Sequence, residues 1–344
     1  MKQHAQHIPV SLHLLGWTTA LQEQLCSDDI AVEPMRISAV HRSKMTAFSV
    51  AGQAKLFPPQ GMTTADFAVG DWVLVDPQSC QIVRLLNRHS LLQRQTVGAR
   101  QLQLIAANVD TVFIVTSCND DFNPARLERY LAMTNEAGTG AVIVLTKADQ
   151  TPDVAKFQRE AAALQRGLPV VSINGKSQEA IAALAPWCGV GQTVALIGSS
   201  GVGKSTLLNT LAQKSEKEAQ ATGSIREDDA KGRHTTTSRS LHTIEGGAWV
   251  IDTPGMRTLH VSDLSTGLDA LFAEITELAP DCRFRDCTHQ HEPGCAVQAA
   301  VATGKLDPAR LARWSKLREE NEQNTPVVTG ARGNKKTSKR GTRR

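Results

Sequence analysis

Eight consecutive residues, Gly198-Ser199-Ser200-Gly201-Val202-Gly203-Lys204-Ser205, match G-x-x-x-x-G-K-[ST] at every fixed position. Glycines at these places let the backbone wrap a phosphate with successive N–H groups turned inward. A helix starting behind the loop adds its partial positive charge. In that role Lys204 reaches the β- and γ-phosphates, the Ser205 hydroxyl ligates Mg²⁺, and Thr206 follows in the first turn. The bland alternative is a glycine-rich turn that matches by chance. Against it stand the apolar run TVALIG (193–198) before the loop and a helical pattern over 204–213 after it. The loop alone indicates a nucleoside triphosphate without saying which.

Two further segments decide more. Asp252-Thr-Pro-Gly255 ends the apolar run AWVIDT. A strand that delivers an aspartate toward a phosphate loop places Asp252 to hold Mg²⁺, and the Gly255 amide to sense the γ-phosphate. Alone, Asp-x-Pro-Gly is an ordinary turn. Thr146-Lys147-Ala148-Asp149 ends the run AVIVLT and is close to the N/T-K-x-D element that reads guanine. Asp149 would accept from guanine N1–H and its 2-amino group, donors that adenine lacks. The aliphatic stem of Lys147 would lie along the base. Thr146 stands where Asn is usual, keeping a hydroxyl and losing an amide. Ser172-Ile173-Asn174, after the next strand, resembles a second base-contact loop. The plain reading of Thr146–Asp149 is a strand-to-helix connection with Asp near a helix start.

Cys282-x₄-Cys287-x-His289-x₅-Cys295 supplies three thiols and an imidazole within fourteen residues. That closed Cys₃His set is the pattern of one structural Zn²⁺. His291 also lies between Cys287 and Cys295 and is an alternative nitrogen donor. Buried free thiols are the alternative without a metal. Cys26, Cys80, Cys118 and Cys188 are scattered, which fits a reducing compartment better than a disulfide framework.

These residues need elements to hold them. Residues 10–25 read as one short amphipathic helix. Residues 36–97 break into short β-rich runs cut by Gly, Pro, Asn and Asp, which predicts a small OB-type β-barrel. Its Phe48, Phe57, Phe67 and Trp72 are read as barrel core, or as surfaces for stacked bases. From 110 onward strands alternate with helices (124–137, 153–166, 177–185, 204–213), which predicts a parallel sheet covered on both faces. After 265 the chain reads as helical, with a helix near 308–322. Past 324 it reads as disordered.

The chain has 344 residues, 41% of them hydrophobic, enough for two or three packed domains. Its net charge of +4 conceals an asymmetry. Residues 331–344 hold seven Lys/Arg and no acid, and residues 36–100 hold eight against three Asp, so the remainder is acidic on balance. Two basic segments on an acidic body point to a nucleic acid ahead of a membrane; a solvated, idle tail is the alternative. No apolar run approaches the ~20 residues of a membrane span, and the first residues do not read as a secretion signal. The sequence reads as soluble and unsecreted.

The motif order is unusual: base reader, second base loop, phosphate loop, then DTPG. Joining the ends of an ordinary GTPase and cutting it elsewhere yields this order around the same site. With a barrel before it and a Cys/His module after it, the chain resembles the ribosome small subunit-dependent GTPases (RsgA, also EngC or YjeQ). The resemblance implies a helical extension (1–32), an OB-fold barrel (33–100), a circularly permuted GTPase domain (101–262), a zinc-binding helical domain (263–323) and a basic tail (324–344). It implies that Thr236, within Gly232-Arg-His-Thr-Thr-Thr237, closes on Mg²⁺. It nominates His234 to orient the attacking water, since Met256 stands where many GTPases carry Gln. It favours His289 over His291. It further implies GTP hydrolysis to GDP, stimulated by the small (30S) ribosomal subunit during its late maturation, rRNA contacts, a cytoplasmic location, no membrane and a monomer. A P-loop ATPase of nucleic-acid metabolism and an RNA-binding scaffold with a structural nucleotide remain as other readings.

Overall fold

The computed structural model describes residues 11–95, 102–212, 239–244, 246–253 and 263–325, and the backbone of 328–329 and 335–336. The helix expected over 10–25 is broken in two: a 3₁₀ turn at Leu12–Leu15 and a single turn, α1 (Thr19–Gln22). Between them Gly16 has φ 90°, and a Cβ there would lie 2.6 Å from the Gly191 carbonyl and 2.8 Å from Arg36 Nη1. Amphipathic spacing alone did not reveal this close approach.

Five strands follow: β1 (Glu33–Val40), β2 (Met45–Ser49), β3 (Gly52–Leu56), β4 (Trp72–Val75) and β5 (Ile82–Leu85). β1 pairs with both β2 and β4, β2 with β3, and β4 with β5, all antiparallel. A parallel bridge, Phe57–Gln81, links the β3 end to the β5 end, so the strands form the circuit 1-2-3-5-4-1. Inside lie Met35, Ile37, Met45, Ala47, Leu56, Phe67, Val73, Val75 and Ile82. Trp72 is also buried, edge-on to Trp17 at 4.8 Å. Phe48 packs on Trp249 at 5.3 Å, and Phe57 is 52% exposed. Of the four aromatics, Phe57 is the one turned to solvent.

A hairpin that the sequence reading did not mark, β6 (Leu91–Gln95) with β7 (Leu102–Ala107), leads into the next layer. That layer comprises β8 (Thr111–Ser117), α2 (Pro124–Glu136), β9 (Gly140–Thr146), α3 (Val154–Ala162), β10 (Val170–Ser172), α4 (Glu179–Leu184), β11 (Thr193–Ile197), α5 (Lys204–Leu211), β12 (Ser240–Thr243) and β13 (Trp249–Asp252). The strand order is β10-β9-β8-β11-β13-β12, parallel except for β12. Alternate residues point to opposite faces. Ile114, Ile143, Leu145, Ala195 and Ile197 join a core with Leu127 and Leu131 of α2. Phe113, Val115, Val142, Val144, Val194 and Leu196 join another with Leu207, Leu208 and Leu211 of α5.

The barrel and this sheet are continuous, because β1 pairs with β12 through Ala39 and Ser240. Arg36 reinforces the seam. It is 1% exposed; Nη1 donates to the Leu15 carbonyl at 2.6 Å, Nη2 to Thr193 Oγ1 at 2.6 Å, and the guanidinium lies 5.8 Å from the Trp72 ring. Burial pulls it down to about 10, so it stays charged at neutral pH. Removing one side of a buried polar cluster costs several kcal/mol. Arg36→Met is therefore expected to lower unfolding free energy by about 3 kcal/mol in urea titration. An unchanged midpoint would mean that strand pairing alone holds the seam.

The C-terminal part consists of α6 (Ser265–Leu271), α7 (Ala273–Leu278), α8 (Ala296–Ala302) and α9 (Pro308–Asn324). Asp307 caps α9 by accepting from Ala309 N at 2.9 Å, and Pro308 suits its first turn. Beyond it, β14 (Val328–Thr329) and β15 (Lys335–Lys336) form a two-residue ladder where the sequence predicts irregular chain. Among the described residues no helix is long and apolar enough to cross a membrane.

Candidate functional site

The phosphate-binding motif lies where a parallel sheet of this kind offers a crevice, at the carboxyl ends of its strands. β11 ends at Ile197 and α5 opens at Lys204. Gly198 has φ 144°, and a Cβ there would lie 2.2 Å from the Val115 carbonyl of β8. Only glycine lets the loop leave the sheet at that point. Val202 is buried and anchors the loop's underside, while Ser200 and Gly201 are exposed. Lys204 Nζ donates to the carbonyls of Gly198 at 2.8 Å and Ser199 at 2.5 Å, which keeps the ammonium at the loop. Ser205 and Thr206, both half-buried, sit in the first turn of α5.

Register brings Asp252 to the same edge. It pairs with Leu196, two residues ahead of Gly198, and Thr253 Oγ1 donates to the Leu196 carbonyl at 2.5 Å. On the other side β9 lies beside β8, with Thr146 level with Ser117. Thr146 Oγ1 is 2.6 Å from the Val202 carbonyl and 3.1 Å from the Thr116 carbonyl. The Thr146 hydroxyl thus ties the Thr146–Asp149 turn to the Gly198–Ser205 loop. Lys147 then adopts φ 56°, an uncommon left-handed conformation for a non-glycine residue, and turns the chain into the 3₁₀ turn Ala148–Gln150. Asp149 is exposed on that turn. Ala148 N donates to the Ile173 carbonyl at 3.3 Å, joining the turn to the 172–174 loop. Ser172 Oγ is shielded there without a hydrogen-bond partner among the described residues. Thr236, His234 and Gly255 lie outside the described residues.

Two contacts escaped sequence reasoning. Arg126 Nη1 donates to Ser199 Oγ at 2.6 Å, and Tyr130, the chain's single tyrosine, shares a hydrogen bond with the same side chain. Burial pushes the Tyr130 hydroxyl up, with Arg126 opposing it. Their spacing of four residues, just after a strand that ends beside the loop, was the available signal.

The Cys/His cluster lies apart from this edge, between α7 and the start of α8. The ligand atoms of Cys282, Cys287, His289 and Cys295 lie within 4.8 Å of one another. His289 Nδ1 is 3.4 Å from Cys295 Sγ and 3.6 Å from Cys282 Sγ, and the Cys282 and Cys295 sulfurs are 3.8 Å apart. His289 is buried, has φ 61°, and packs against Trp314; His291 is exposed. Burial pulls the His289 imidazole down, which favours the neutral form that ligates. The Glu292 carboxylate braces the loop by accepting from the N–H groups of Thr288 (2.9 Å) and Gln290 (3.1 Å). The four residues could hold a metal ion.

A family model described as RsgA GTPase matches residues 85–262. A protein of Mesorhizobium japonicum named small ribosomal subunit biogenesis GTPase RsgA is 61% identical over 97% of this chain and 96% of its own length. The chain belongs to the RsgA GTPase family. A second relative, from Vibrio vulnificus and named small ribosomal subunit biogenesis GTPase RsgA 2, is 48% identical over 94% of this chain and 92% of its own. Two solved structures share the fold. YjeQ from Thermotoga maritima has a TM-score of 0.61 at 24% identity, covering 84% of this chain and 98% of that one. YloQ, titled a circularly permuted GTPase, has a TM-score of 0.61 at 22% identity, covering 88% and 100%.

In this RsgA-family chain the permutation is visible directly, since β9 and its Thr146–Asp149 turn precede β11 and its loop in sequence yet lie two strands away. Thr146→Val keeps the shape of the side chain and strands the Val202 carbonyl. An unpaired buried acceptor costs about 1–3 kcal/mol, so nucleotide affinity should weaken roughly tenfold in a fluorescent-GDP titration. Thr146→Ser should bind like the parent. Equal affinity for all three would mean that the tether does not shape the site.

Proposed function

We propose that this GTPase binds GTP with Mg²⁺ at the edge formed by β9, β11 and β13, and hydrolyses it to GDP and phosphate. We propose further that it does so on the small (30S) ribosomal subunit during late maturation, in the cytoplasm, as a monomer. The observation that carries the reading is the hydrogen bond from Thr146 to the Val202 carbonyl. It ties a guanine-type reader to a phosphate loop that follows it by some fifty residues. Gly198–Thr206 cradle the phosphates, Lys204 neutralises their charge, and Ser205, Asp252 and Thr236 hold Mg²⁺. Thr146 positions the reader, Lys147 and Ala148 flank the base, and Asp149 accepts from it. The shielded Ser172 hydroxyl fits a second base contact. Mg²⁺ supplies charge neutralisation between the phosphates. His234 orients the attacking water, and the Gly255 amide reads the γ-phosphate.

We assign the Cys₃His cluster to one structural Zn²⁺. About 2.3 Å for Zn–S and 2.0 Å for Zn–N in a tetrahedron require S–S near 3.8 Å and S–N near 3.5 Å. The distances of 3.8, 3.4 and 3.6 Å suit that geometry. Burial pushes the Cys287 thiol up to about 12, so a cation is what makes it a thiolate. The barrel circuit suits an OB-type domain, which with the basic tail would contact rRNA. The domain boundaries we propose are those the family resemblance implies, with new domains beginning at 33, 101, 263 and 324.

GTP turnover with and without purified small subunits tests the function. The subunits are expected to raise the rate at least tenfold, and His234→Ala to abolish that increase while GTP still binds. Equal rates for the free and subunit-mixed protein would overturn the ribosomal reading.

A further inference from the structure

Helix α2 carries, on successive turns, contacts to two regions far apart in sequence. Arg126 and Tyr130 lie on one face, four residues apart, and both engage the Ser199 side chain of the phosphate loop. The Ser199 carbonyl in turn accepts from Lys204. On the opposite face Glu128 is fully buried and accepts from Arg310 Nη1 at 2.7 Å and Arg313 Nε at 2.8 Å, both from α9. Arg129 Nη2 donates to Glu320 of the same helix at 2.6 Å. Arg310 reaches beyond α9: it donates to Glu274 Oε1 and to the Leu271 carbonyl, each at 2.7 Å, and stacks 4.0 Å from the Phe272 ring.

The grip continues to the end of α2. Glu136 Oε2 accepts from Gly267 N at 2.8 Å, and a Cβ on Gly267 would lie 2.0 Å from the Ala132 carbonyl, so α6 sits directly against α2. Where the chain re-enters after the Asp252 strand, Asp263 N donates to Thr325 Oγ1 at 2.8 Å and Leu264 N to Asn321 Oδ1 at 2.9 Å. Helices α6 and α9 are therefore anchored along roughly 12 Å of α2, from Glu128 to Glu136 at about 1.5 Å per residue.

We propose that α2 is a rigid bar through which the phosphate loop and the C-terminal Cys/His module bias one another, with Arg126 as the positioning residue at the nucleotide end and Arg129 at the module end. The proposal rests on the reading of Gly198–Ser205 as the GTP site. Glu128 cannot leave its two arginines without stranding a buried charge, so α2 and α9 move together. Ser199 cannot shift around the phosphates without pulling on Arg126 and Tyr130. A preference of the loop for one nucleotide is then a preference of the module for one position. Coupling of this kind is reciprocal and usually changes affinity by about 5- to 150-fold.

A double-mutant cycle on the full chain tests it. Fluorescent GDP and a fluorescent non-hydrolysable GTP analogue are titrated against the parent, Glu320→Gln, Arg126→Met and the double variant, with thermal midpoints recorded for each. In the parent background, Glu320→Gln is expected to change the ratio of the two affinities by about three- to tenfold. In the Arg126→Met background the same substitution should leave the ratio unchanged. An equal change in both backgrounds, or a lowered thermal midpoint with no change of ratio, overturns the linkage. A parent that binds neither nucleotide overturns the reading of the loop, and this proposal with it, and is told apart from binding with an unmoved ratio.

Discussion

Asp149→Asn is expected to weaken GTP binding on the order of 10³-fold and to confer binding of xanthosine triphosphate. The carboxylate would accept two hydrogen bonds from guanine, each charge-assisted and worth about 1.5–3 kcal/mol. Asparagine retains one acceptor and turns an amide N–H₂ toward the guanine amino group, donor against donor. Xanthine carries a carbonyl oxygen at that place, so the same amide becomes its partner. The turn that presents Asp149 is fixed by backbone: Lys147 in the left-handed region, Ala148 N on the Ile173 carbonyl, and Thr146 tied to Val202. The substitution should therefore change the base and leave the turn in place. Competition of GTP, ATP and xanthosine triphosphate against a fluorescent nucleotide measures it. A variant that still prefers GTP would remove Asp149 from base reading and reopen the ATPase alternative.

Removing the proposed zinc should have an effect of comparable size on the other part of the molecule. Among the described residues, the loop Cys282–Cys295 is held by few apolar contacts of its own: Cys287, His289 and Cys295 are buried, while its Arg283, Phe284, Arg285 and Asp286 are exposed. Structural zinc supplies about 10–16 kcal/mol of folding free energy in small modules. Stripping it with a strong chelator, or substituting Cys287→Ser, is expected to unfold the loop and release α8 from its end, seen as new proteolytic cleavage between 280 and 325. Guanine nucleotide binding at the β9–β11–β13 edge should survive. Stoichiometry of one zinc per chain by elemental analysis is the companion measurement. A chelated protein that keeps its protease resistance would mean that the cluster holds no stabilising ion.

The loop and the turn that meet at this sheet edge were legible because the chemistry expected of them is local. A loop that must wrap phosphates needs glycines at fixed spacing, and a carboxylate that must read guanine needs a strand end to stand on. Both signatures lie within eight residues. The cysteine spacing was legible for the same reason. What eluded the sequence depends on distant partners. Gly16 interrupts an otherwise acceptable helical pattern because the Gly191 carbonyl and Arg36 occupy the space a side chain would need. Arg36, in the middle of a strand with a buried pattern, reads as an edge or a mistake until Leu15 and Thr193 are seen around its guanidinium. Glu128 and Arg310 are separated by 182 positions, and neither announces the other. Nor did the pattern mark β6 (LLQRQ) and β7 (LQLIAA), where apolar and polar residues do not alternate regularly.

The pairing of Ala39 with Ser240 has a consequence for how the polypeptide is made. Strand β1 emerges during synthesis ahead of its neighbour β12, which follows about two hundred residues later. At about 5–20 residues per second, the first barrel strand waits some ten to forty seconds with one edge uncovered. Nascent chains can therefore complete the barrel's own circuit first, but they acquire the seam with the second layer only after those intervening residues are made. Such late, long-range closure slows folding and favours exchange of β12 between crowded chains.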